Sequence, residues 1–282
     1  MHWIRQAISI QHAAIRECCS KWAKRASIKY LKRHVSSNME KPMGRQRARM
    51  ALIIFSFVLM PVTFAYISCP IIIDGASKGI ITGGMIVFIL IFASSLFLGR
   101  LWCGWLCPAG GLQEIYFHVN NNKAKIAILN WLKYFAFLAL ILIPLISAVH
   151  SSGGLMSIDP FYRTDHGISI AREGAYVIYL VQIAFITLFA LLAGKRGFCH
   201  YFCPIAVIAI IGRKVQTLFR WPALHLSADP GRCTACGRCS NECPMGLEVS
   251  SMVEQGCMEN AECILCGCCI AVCPSRAIRF SF

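Results

Sequence analysis

Two cysteine runs near the C-terminus have the residue types and the spacing of iron–sulfur ligands. Each run reads C-x2-C-x2-C-x3-C-P, and the second repeats the first at an offset of thirty residues. The eight cysteines are Cys233, Cys236, Cys239 and Cys243, followed by Cys263, Cys266, Cys269 and Cys273. In this spacing three thiolates bind one [4Fe–4S] cube, and the fourth reaches across to a second cube. The pattern therefore predicts a chain that transfers electrons one at a time.

The fourth cysteine of each run changes partner in two-cluster bacterial ferredoxins, so two crossed ligand sets follow. The first set is Cys233, Cys236, Cys239 and Cys273, and the second is Cys243, Cys263, Cys266 and Cys269. A pair of structural zinc sites is the alternative. A tetrahedral zinc site explains neither the third close cysteine nor the trailing proline. Cys268 falls between two ligands, at a position that needs no thiolate.

A second pair of motifs, each reading C-x3-C-P, recurs at an offset of 96 residues. Its cysteines are Cys103, Cys107, Cys199 and Cys203. Proline disfavours helix at the residue before it and favours the first helical position, so Cys107 and Cys203 should cap helices that begin at Pro108 and Pro204. The dipole at a helix N-terminus stabilises a thiolate. We expect the four thiols to form an additional redox or metal centre; purely structural turns are the alternative.

Membrane helices are the elements that must position these motifs. Hydrophobic residues make up 57% of the 282 residues, and charged residues only 15%. Four apolar stretches approach or exceed the roughly 20 residues that cross a bilayer. They run from Met50 to Ile67, from Ile80 to Leu98, from Ile126 to Val149 and from Ala175 to Ala193. The sequence thus predicts an α-helical membrane bundle of four transmembrane helices, with short re-entrant or interfacial helices at the C-x3-C-P turns.

Loop charge sets the orientation of this bundle. Lys and Arg are concentrated before the first stretch, between the second and third stretches, and after the fourth stretch. Short loops rich in Lys and Arg stay in the cytoplasm, so both termini should be cytoplasmic, as in a bacterial inner-membrane protein. The net charge of +15 is therefore not read as nucleic-acid binding; contact of the basic tail with anionic lipid would account for it, as would a solvated tail.

Three regions follow from these patterns. Residues 1–48 form a basic cytoplasmic tail, for which an amphipathic interfacial helix and a solvated tail are both open. Residues 49–220 form the four-span membrane domain, and residues 221–282 form an α+β ferredoxin domain with two [4Fe–4S] clusters.

Lys133, at the end of the third span, is expected to snorkel to the surface. An excess of acids after His225 weakly favours a basic partner.

The order of these motifs resembles the family of NapH-type quinol dehydrogenase and NosR-like 4Fe-4S membrane proteins. The resemblance runs from about residue 50 to residue 282 and rests on two C-x3-C-P turns followed by the two-cluster cysteine run. It implies a subunit of a larger membrane complex that takes electrons from the quinol pool and passes them to other redox subunits. A metal-handling or oxidase-assembly protein resembling the CcoG/RdxA family is one alternative, and an iron–sulfur redox sensor is another.

The charge pattern makes a testable prediction about topology. A phosphatase that is active only outside the cytoplasm, fused after Phe282, should be inactive, while a fluorescent protein fused there should be bright. Fusions after Cys107 and Cys203 should behave in the same way. An active phosphatase combined with a dark fluorescent fusion would place the C-terminus outside and overturn the orientation.

Overall fold

The computed structural model describes residues 42–123, 130–171 and 174–282. Most of the predicted basic tail and the predicted start of the third span at Ile126 lie outside the described residues. Within these ranges the helices, α1 to α13 in chain order, are Pro42–Val58, Met60–Ile67, Cys69–Ser77, Gly83–Leu98, Leu101–Trp105, Pro108–Ile115, Leu132–Ser151, Ala175–Ala193, Gly197–Tyr201, Pro204–Phe219, Arg238–Asn241, Val249–Glu254 and Cys268–Val272. The strands β1 to β4 are Ile80–Thr82, Ser157–Asp159, His225–Ala228 and Ile278–Ser281.

Two of these helices are long and apolar enough to cross a bilayer. They are α7, with 20 residues, and α8, with 19 residues. Helix α4 is equally apolar but has 16 residues. The apolar stretch from Met50 to Ile67 is two helices instead of one, because α1 and α2 meet at an angle of 80°. Pro61 lacks the N–H that would continue the helix, which accounts for the break beside it. Counted as one bent span, the pair is a third candidate, and four complete spans stay a prediction.

Helix α7 contains a local change of winding. Its residues Leu138–Leu142 form a π-helical turn just before Pro144. Proline has no N–H to donate to the preceding turn, and a π-helical turn absorbs that lost bond without ending the helix. The helix therefore continues to Ser151.

Helix α4 sets the position of the first C-x3-C-P turn. Its N-cap, Thr82, accepts a hydrogen bond from the backbone N–H of Met85 at 3.3 Å. The helix ends at Leu98, and its C-cap is Gly99, with a φ of 56°. A residue with a side chain would be strained in this conformation. Helix α10 packs closely along α4, because a Cβ at Gly212 would lie 1.8 Å from the hydroxyl of Ser95. The two C-x3-C-P repeats are thus held side by side.

Both C-x3-C-P turns adopt the predicted capping geometry. Cys107 is the N-cap of α6 with a ψ of 116°, and Cys203 is the N-cap of α10 with a ψ of 118°. Pro108 and Pro204 begin the two helices. The first cysteine of each motif lies on a five-residue helix, α5 or α9. The predicted caps are thus confirmed. The physical reason is that each proline imposes an extended conformation on the cysteine before it.

The C-terminal residues 225–282, which we call the ferredoxin unit, combine short helices with one small sheet. Strand β3 pairs with β4 in antiparallel register, from His225 opposite Ser281 to Ala228 opposite Ile278. The core contains Leu226, Val253, Ile264 and Ile278, all buried. It is continuous with Cys103 and Phe198 of the preceding residues, 42–123, 130–171 and 174–224, which we call the membrane part. The two parts share one core.

A buried ion-pair cluster fixes the ferredoxin unit to the membrane part, and it corrects the prediction for Lys133. The Lys133 side chain is 0% exposed, and its ammonium pairs with the carboxylate of Glu262. Arg100, 1% exposed, donates to the same carboxylate at 2.8 Å. Burial alone would raise the pKa of Glu262, but the charges of Arg100 and Lys133 outweigh it and lower this pKa to about 2. Lys133 does not snorkel, because the ferredoxin unit covers it and supplies its counter-charge.

Other acids of the ferredoxin unit also face the membrane part. Glu248 accepts a hydrogen bond from Lys123 at 2.7 Å, and Glu259 lies 3.9 Å from Arg213. With Glu262, three of the unit's six acids therefore pair with basic residues of the membrane part. The excess of acids after His225 is therefore weaker evidence for a basic partner than the sequence suggests.

Replacing Glu262 by Gln should destabilise the protein by about 3–5 kcal/mol, because it leaves Arg100 and Lys133 buried without a carboxylate. The matched control is Glu248→Gln, whose side chain is 65% exposed and which should cost no more than about 1 kcal/mol. Denaturant unfolding of the detergent-solubilised protein, followed by tryptophan fluorescence, measures both. Equal stability of the two variants would contradict a structural role for the buried cluster.

Candidate iron–sulfur site

Two cavities in the ferredoxin unit bring the sequence-predicted ligands together. One, with an empty volume of about 420 Å³, has four cysteines in its lining: Cys243, Cys263, Cys266 and Cys269. The other, of about 340 Å³, has in its lining Cys233, Cys236, Cys239 and Cys273. We name them the Cys263 cradle and the Cys233 cradle. Each cradle combines the three close cysteines of one run with the fourth cysteine of the other run.

The backbone of the two runs repeats as closely as the sequence does. Ala235 and Leu265 occupy equivalent places in the two runs, and both have left-handed φ values, of 52° and 51°. Gly237 and Gly267 follow with φ values of 69° and 72°. Non-glycine residues adopt this conformation rarely, so its recurrence marks a common constraint. Loops of this kind point backbone N–H groups into a concavity that binds anions, iron–sulfur clusters included.

The two cradles differ in their surroundings. Apolar side chains line the Cys263 cradle, among them Leu226, Met245 and Met258. In the Cys233 cradle Cys236 is exposed, and the backbone N–H of Ala277 donates to the sulfur of Cys273 at 3.3 Å. The cysteines of the Cys263 cradle are therefore the more deeply buried of the two sets.

Cys268 is in neither lining. Its thiol donates to Oε1 of Gln46, at a distance of 3.4 Å.

The four C-x3-C-P cysteines lie close together at one face of the membrane part. All four are at most 4% exposed, namely Cys103, Cys107, Cys199 and Cys203. They are near enough for their charges to act on one another across the two repeats. Gln113 joins the repeats, because its amide nitrogen donates to the sulfur of Cys199 at 3.3 Å and its oxygen accepts from the N–H of Phe198 at 3.0 Å. We call these four residues the four-cysteine site.

None of these sites has the spacing of a single-ion site. Among the described residues, no three Cys, His, Asp or Glu side chains form a group that could hold one metal ion. Sulfurs around one tetrahedral ion stand about 3.8 Å apart, given metal–sulfur bonds of about 2.3 Å. The ligands of an iron–sulfur cube bind different corners, so they stand farther apart than ligands of one ion.

Two arginines that sequence reasoning missed accompany the four-cysteine site. Arg100 and Arg196 are separated by the same 96 residues as the cysteines, so the repeated motif reads R-x2-C-x3-C-P. They are 1% and 0% exposed, and each lies within electrostatic range of Cys103 or Cys107 and of Cys199. The signal was present in the sequence, as an arginine three residues before each first cysteine.

Arg196 is held by a buried acid, Glu114, which it shares with Arg49. Arg196 donates to the carboxylate of Glu114 at 2.5 Å and to the carbonyl of Cys103 at 2.6 Å. Arg49 donates to the same carboxylate at 2.9 Å and to the carbonyl of Gly104 at 3.1 Å. Burial alone would lower the pKa of Arg196, but the charges of Glu114 and Cys199 raise it. Arg196 therefore stays charged beside the thiols.

Cations outnumber acids in this buried layer. Arg49, Arg100, Lys133, Lys195 and Arg196 are buried, whereas the carboxylates paired among them are those of Glu114 and Glu262. A buried charge without a counter-charge is costly. The layer therefore favours a further anion at the four-cysteine site.

Unpartnered donors give an independent test of whether these residues fit a cluster. Among the described residues, buried N–H groups without a hydrogen-bond partner include Nε of Arg100, Nε of Arg196 and Nε1 of Trp102, all within three residues of Cys103 or Cys199. Buried donors are normally satisfied. Sulfide and thiolate sulfurs of an iron–sulfur cluster accept such bonds, so the donor set fits a cluster at the four-cysteine site.

Comparison with protein families agrees with this arrangement. A model described as a 4Fe-4S binding domain matches residues 80–126 and again residues 175–222, and each match contains one C-x3-C-P motif. A second model, described as a 4Fe-4S dicluster domain, matches residues 225–274. No solved structure matches the chain significantly.

Similar proteins come from bacteria and archaea. An uncharacterized protein of Methanocaldococcus jannaschii is 29% identical, over 82% of this chain and 81% of its own length. The ferredoxin-type protein NapH of Haemophilus influenzae is 28% identical, over 70% of this chain and 67% of its own length. The regulatory protein NosR of Stutzerimonas stutzeri is 31% identical over 64% of this chain, but the match covers only 24% of NosR. These relatives and the two family models support a NapH/NosR-like family of membrane-associated 4Fe-4S electron-transfer proteins for this chain.

Proposed function

We propose that the chain transfers electrons between membrane quinol and a partner redox protein, through two [4Fe–4S] clusters in the ferredoxin unit and a third centre at the four-cysteine site. One observation carries the proposal. Four buried thiols from both repeats meet beneath the ferredoxin unit, inside a layer with an excess of buried cations. Quinol is dissolved in the lipid, whereas in this account the two cradles lie outside it. A redox centre between them would carry electrons from quinol to the clusters of the ferredoxin unit.

The residues of the chain have distinct tasks in this account. Four cysteines would hold the third centre: Cys103, Cys107, Cys199 and Cys203. When bound, the cluster would supply one-electron storage. Arg100 and Arg196 stabilise the negative charge of the thiolates, and both are fixed in place by carboxylates. Gln113 donates to the sulfur of Cys199, which favours a reduced, more negative sulfur environment.

The names of relatives support electron transfer as the class of function. They include a putative electron transport protein, YccM, of Escherichia coli and a methylamine utilization ferredoxin-type protein, MauN, of Methylobacillus flagellatus. A quinol donor and a partner complex are inferences from the membrane location and from the position of the four-cysteine site.

The crossed ligand sets predict which substitutions affect the same cluster. Cys233→Ala and Cys273→Ala should each disturb one cluster and leave the other unchanged, because both residues line the Cys233 cradle. Cys263→Ala should disturb the other cluster. Electron paramagnetic resonance of the dithionite-reduced protein measures this. If Cys273→Ala instead gave the spectrum of Cys263→Ala, ligation within each run would be indicated and the crossed sets would be wrong.

Replacing Cys107 and Cys203 together by Ser should block reduction of the ferredoxin clusters by quinol and leave their reduction by dithionite intact. The reason is that the third centre would be lost while both cradles keep all their cysteines. Stopped-flow absorbance of the reconstituted protein measures the rate, and Cys69→Ser, a cysteine outside every site, is the control. Quinol reduction at the parental rate in the double variant would show that the C-x3-C-P turns are structural.

A further inference from the structure

The two cradles of the ferredoxin unit face different surroundings. Polar contacts from the membrane part reach the residues around the Cys263 cradle. Gln46 donates to the carbonyl of Cys266 at 3.0 Å, and Trp105 donates to the carbonyl of Leu265 at 3.2 Å. Lys195 donates to the carbonyl of Asn241 at 2.7 Å, and Nε2 of His200 lies 3.0 Å from the carbonyl of Met245. These acceptors are ligands of that cradle or lie within two residues of one.

The closest approach is between Gly104 and the loop that holds this cradle. A Cβ at Gly104 would lie 2.3 Å from the carbonyl oxygen of Ile264 and 3.5 Å from the N–H nitrogen of Cys266. Gly104 follows Cys103 of the four-cysteine site directly, and Ile264 follows Cys263 directly. Only a residue without a side chain lets the two backbones touch here. The four-cysteine site and the Cys263 cradle are thus joined by backbone in van der Waals contact.

Arg100 makes a second bridge between the same two sites. Its guanidinium donates to the carbonyl of Ala261 at 3.2 Å and to Glu262 at 2.8 Å, immediately before Cys263. The same side chain lies beside Cys103. The Arg100 guanidinium therefore lies between the two sets of thiols.

The Cys233 cradle opens toward solvent. Cys236 is exposed, and so are Thr234 and Ala235 on one side of it and Arg238 on the other. These residues line the cradle. A docking partner could approach the sulfurs of this cradle without displacing any part of the described chain that packs on the membrane side.

We propose that the ferredoxin unit has a fixed polarity: the Cys263 cradle is its inner side, which exchanges electrons with the four-cysteine site, and the Cys233 cradle is its outer side, where a one-electron redox protein docks around Cys236. The proposal rests on the proposed function for the presence of a centre at the four-cysteine site. Quinol would supply two electrons and release two protons. Each transfer then oxidises one centre by one electron and reduces its neighbour by one.

Removing one cluster at a time tests the polarity. The variant Cys233→Ala with Cys236→Ala should lose the signal of its own cluster, while quinol still reduces the remaining cluster. The variant Cys263→Ala with Cys266→Ala should lose reduction of its remaining cluster by quinol, while dithionite still reduces it. Rapid-freeze paramagnetic resonance identifies the cluster. The reverse pattern, or parental quinol reduction in both variants, would overturn the polarity.

A second pair of variants keeps all ligands and so does not depend on tolerance of a lost cluster. Gly104→Ala should push α5 away from the Ile264 carbonyl and slow reduction of the inner cluster, with both cluster spectra retained. Gly44→Ala is the control, since a Cβ there meets nothing within 4 Å, and it should keep the parental rate. An unchanged rate in Gly104→Ala would count against this contact as the route.

A soluble paramagnetic lanthanide complex separates failure of the polarity from failure of the proposed function. Added to the dithionite-reduced protein, it should speed the electron-spin relaxation of the cluster in the Cys233 cradle more than that of the cluster in the Cys263 cradle. The reason is that, of the two cradles, only the Cys233 cradle contains an exposed cysteine, Cys236. This readout needs no quinol. If quinol reduced neither cluster of the unmodified protein, the proposed function would fail while the lanthanide result still decided the polarity. Equal relaxation of both clusters would contradict an outer Cys233 cradle.

Discussion

Burial of positive charge beside thiols is the constraint on which the rest of this structure depends. Arg100 and Arg196 lie at the base of the two C-x3-C-P turns and are almost completely buried. Neither can remain there without negative charge nearby, because an unpaired buried charge costs several kcal/mol. Glu114 and Glu262 supply part of that charge, and in the proposed function the loaded four-cysteine site supplies the rest. The same ion pairs fix the helices, the ferredoxin unit and the cysteines relative to one another.

This constraint also relates the two internal repeats to each other. Each repeat contributes one arginine, two cysteines and a proline that starts a helix. The arginines of the two repeats take their counter-charge from different parts of the chain. Glu114, within the first repeat's match, holds the arginine of the second, whereas Glu262 of the ferredoxin unit holds the arginine of the first. The first repeat therefore depends on docking of the ferredoxin unit, which brings the Cys263 cradle to the four-cysteine site.

Sequence patterns predicted the parts of the site that are set locally. Cysteine spacing predicted two sets of cysteines, and the same two sets line the two cradles; their role as cluster ligands stays a prediction. Proline placement predicted the caps at Cys107 and Cys203. The pairing of Arg100 with Glu262 could not be predicted, since the two residues are 162 positions apart. Lys133 looked like a snorkelling residue because its partner comes from a different region of the chain. The sharp bend between α1 and α2 was missed because hydropathy records length and composition but not direction.

The central claim, a third iron–sulfur centre among the buried arginines, is tested most directly by counting iron and acid-labile sulfide in the purified, anaerobically reconstituted chain. Three cubes predict about twelve irons and about twelve sulfides per chain, against about eight of each for the ferredoxin unit alone. The Cys103, Cys107, Cys199 and Cys203 thiols should also resist alkylation in the loaded protein. A count near eight, with these four thiols free to react after mild denaturation that leaves the other clusters bound, would contradict the account.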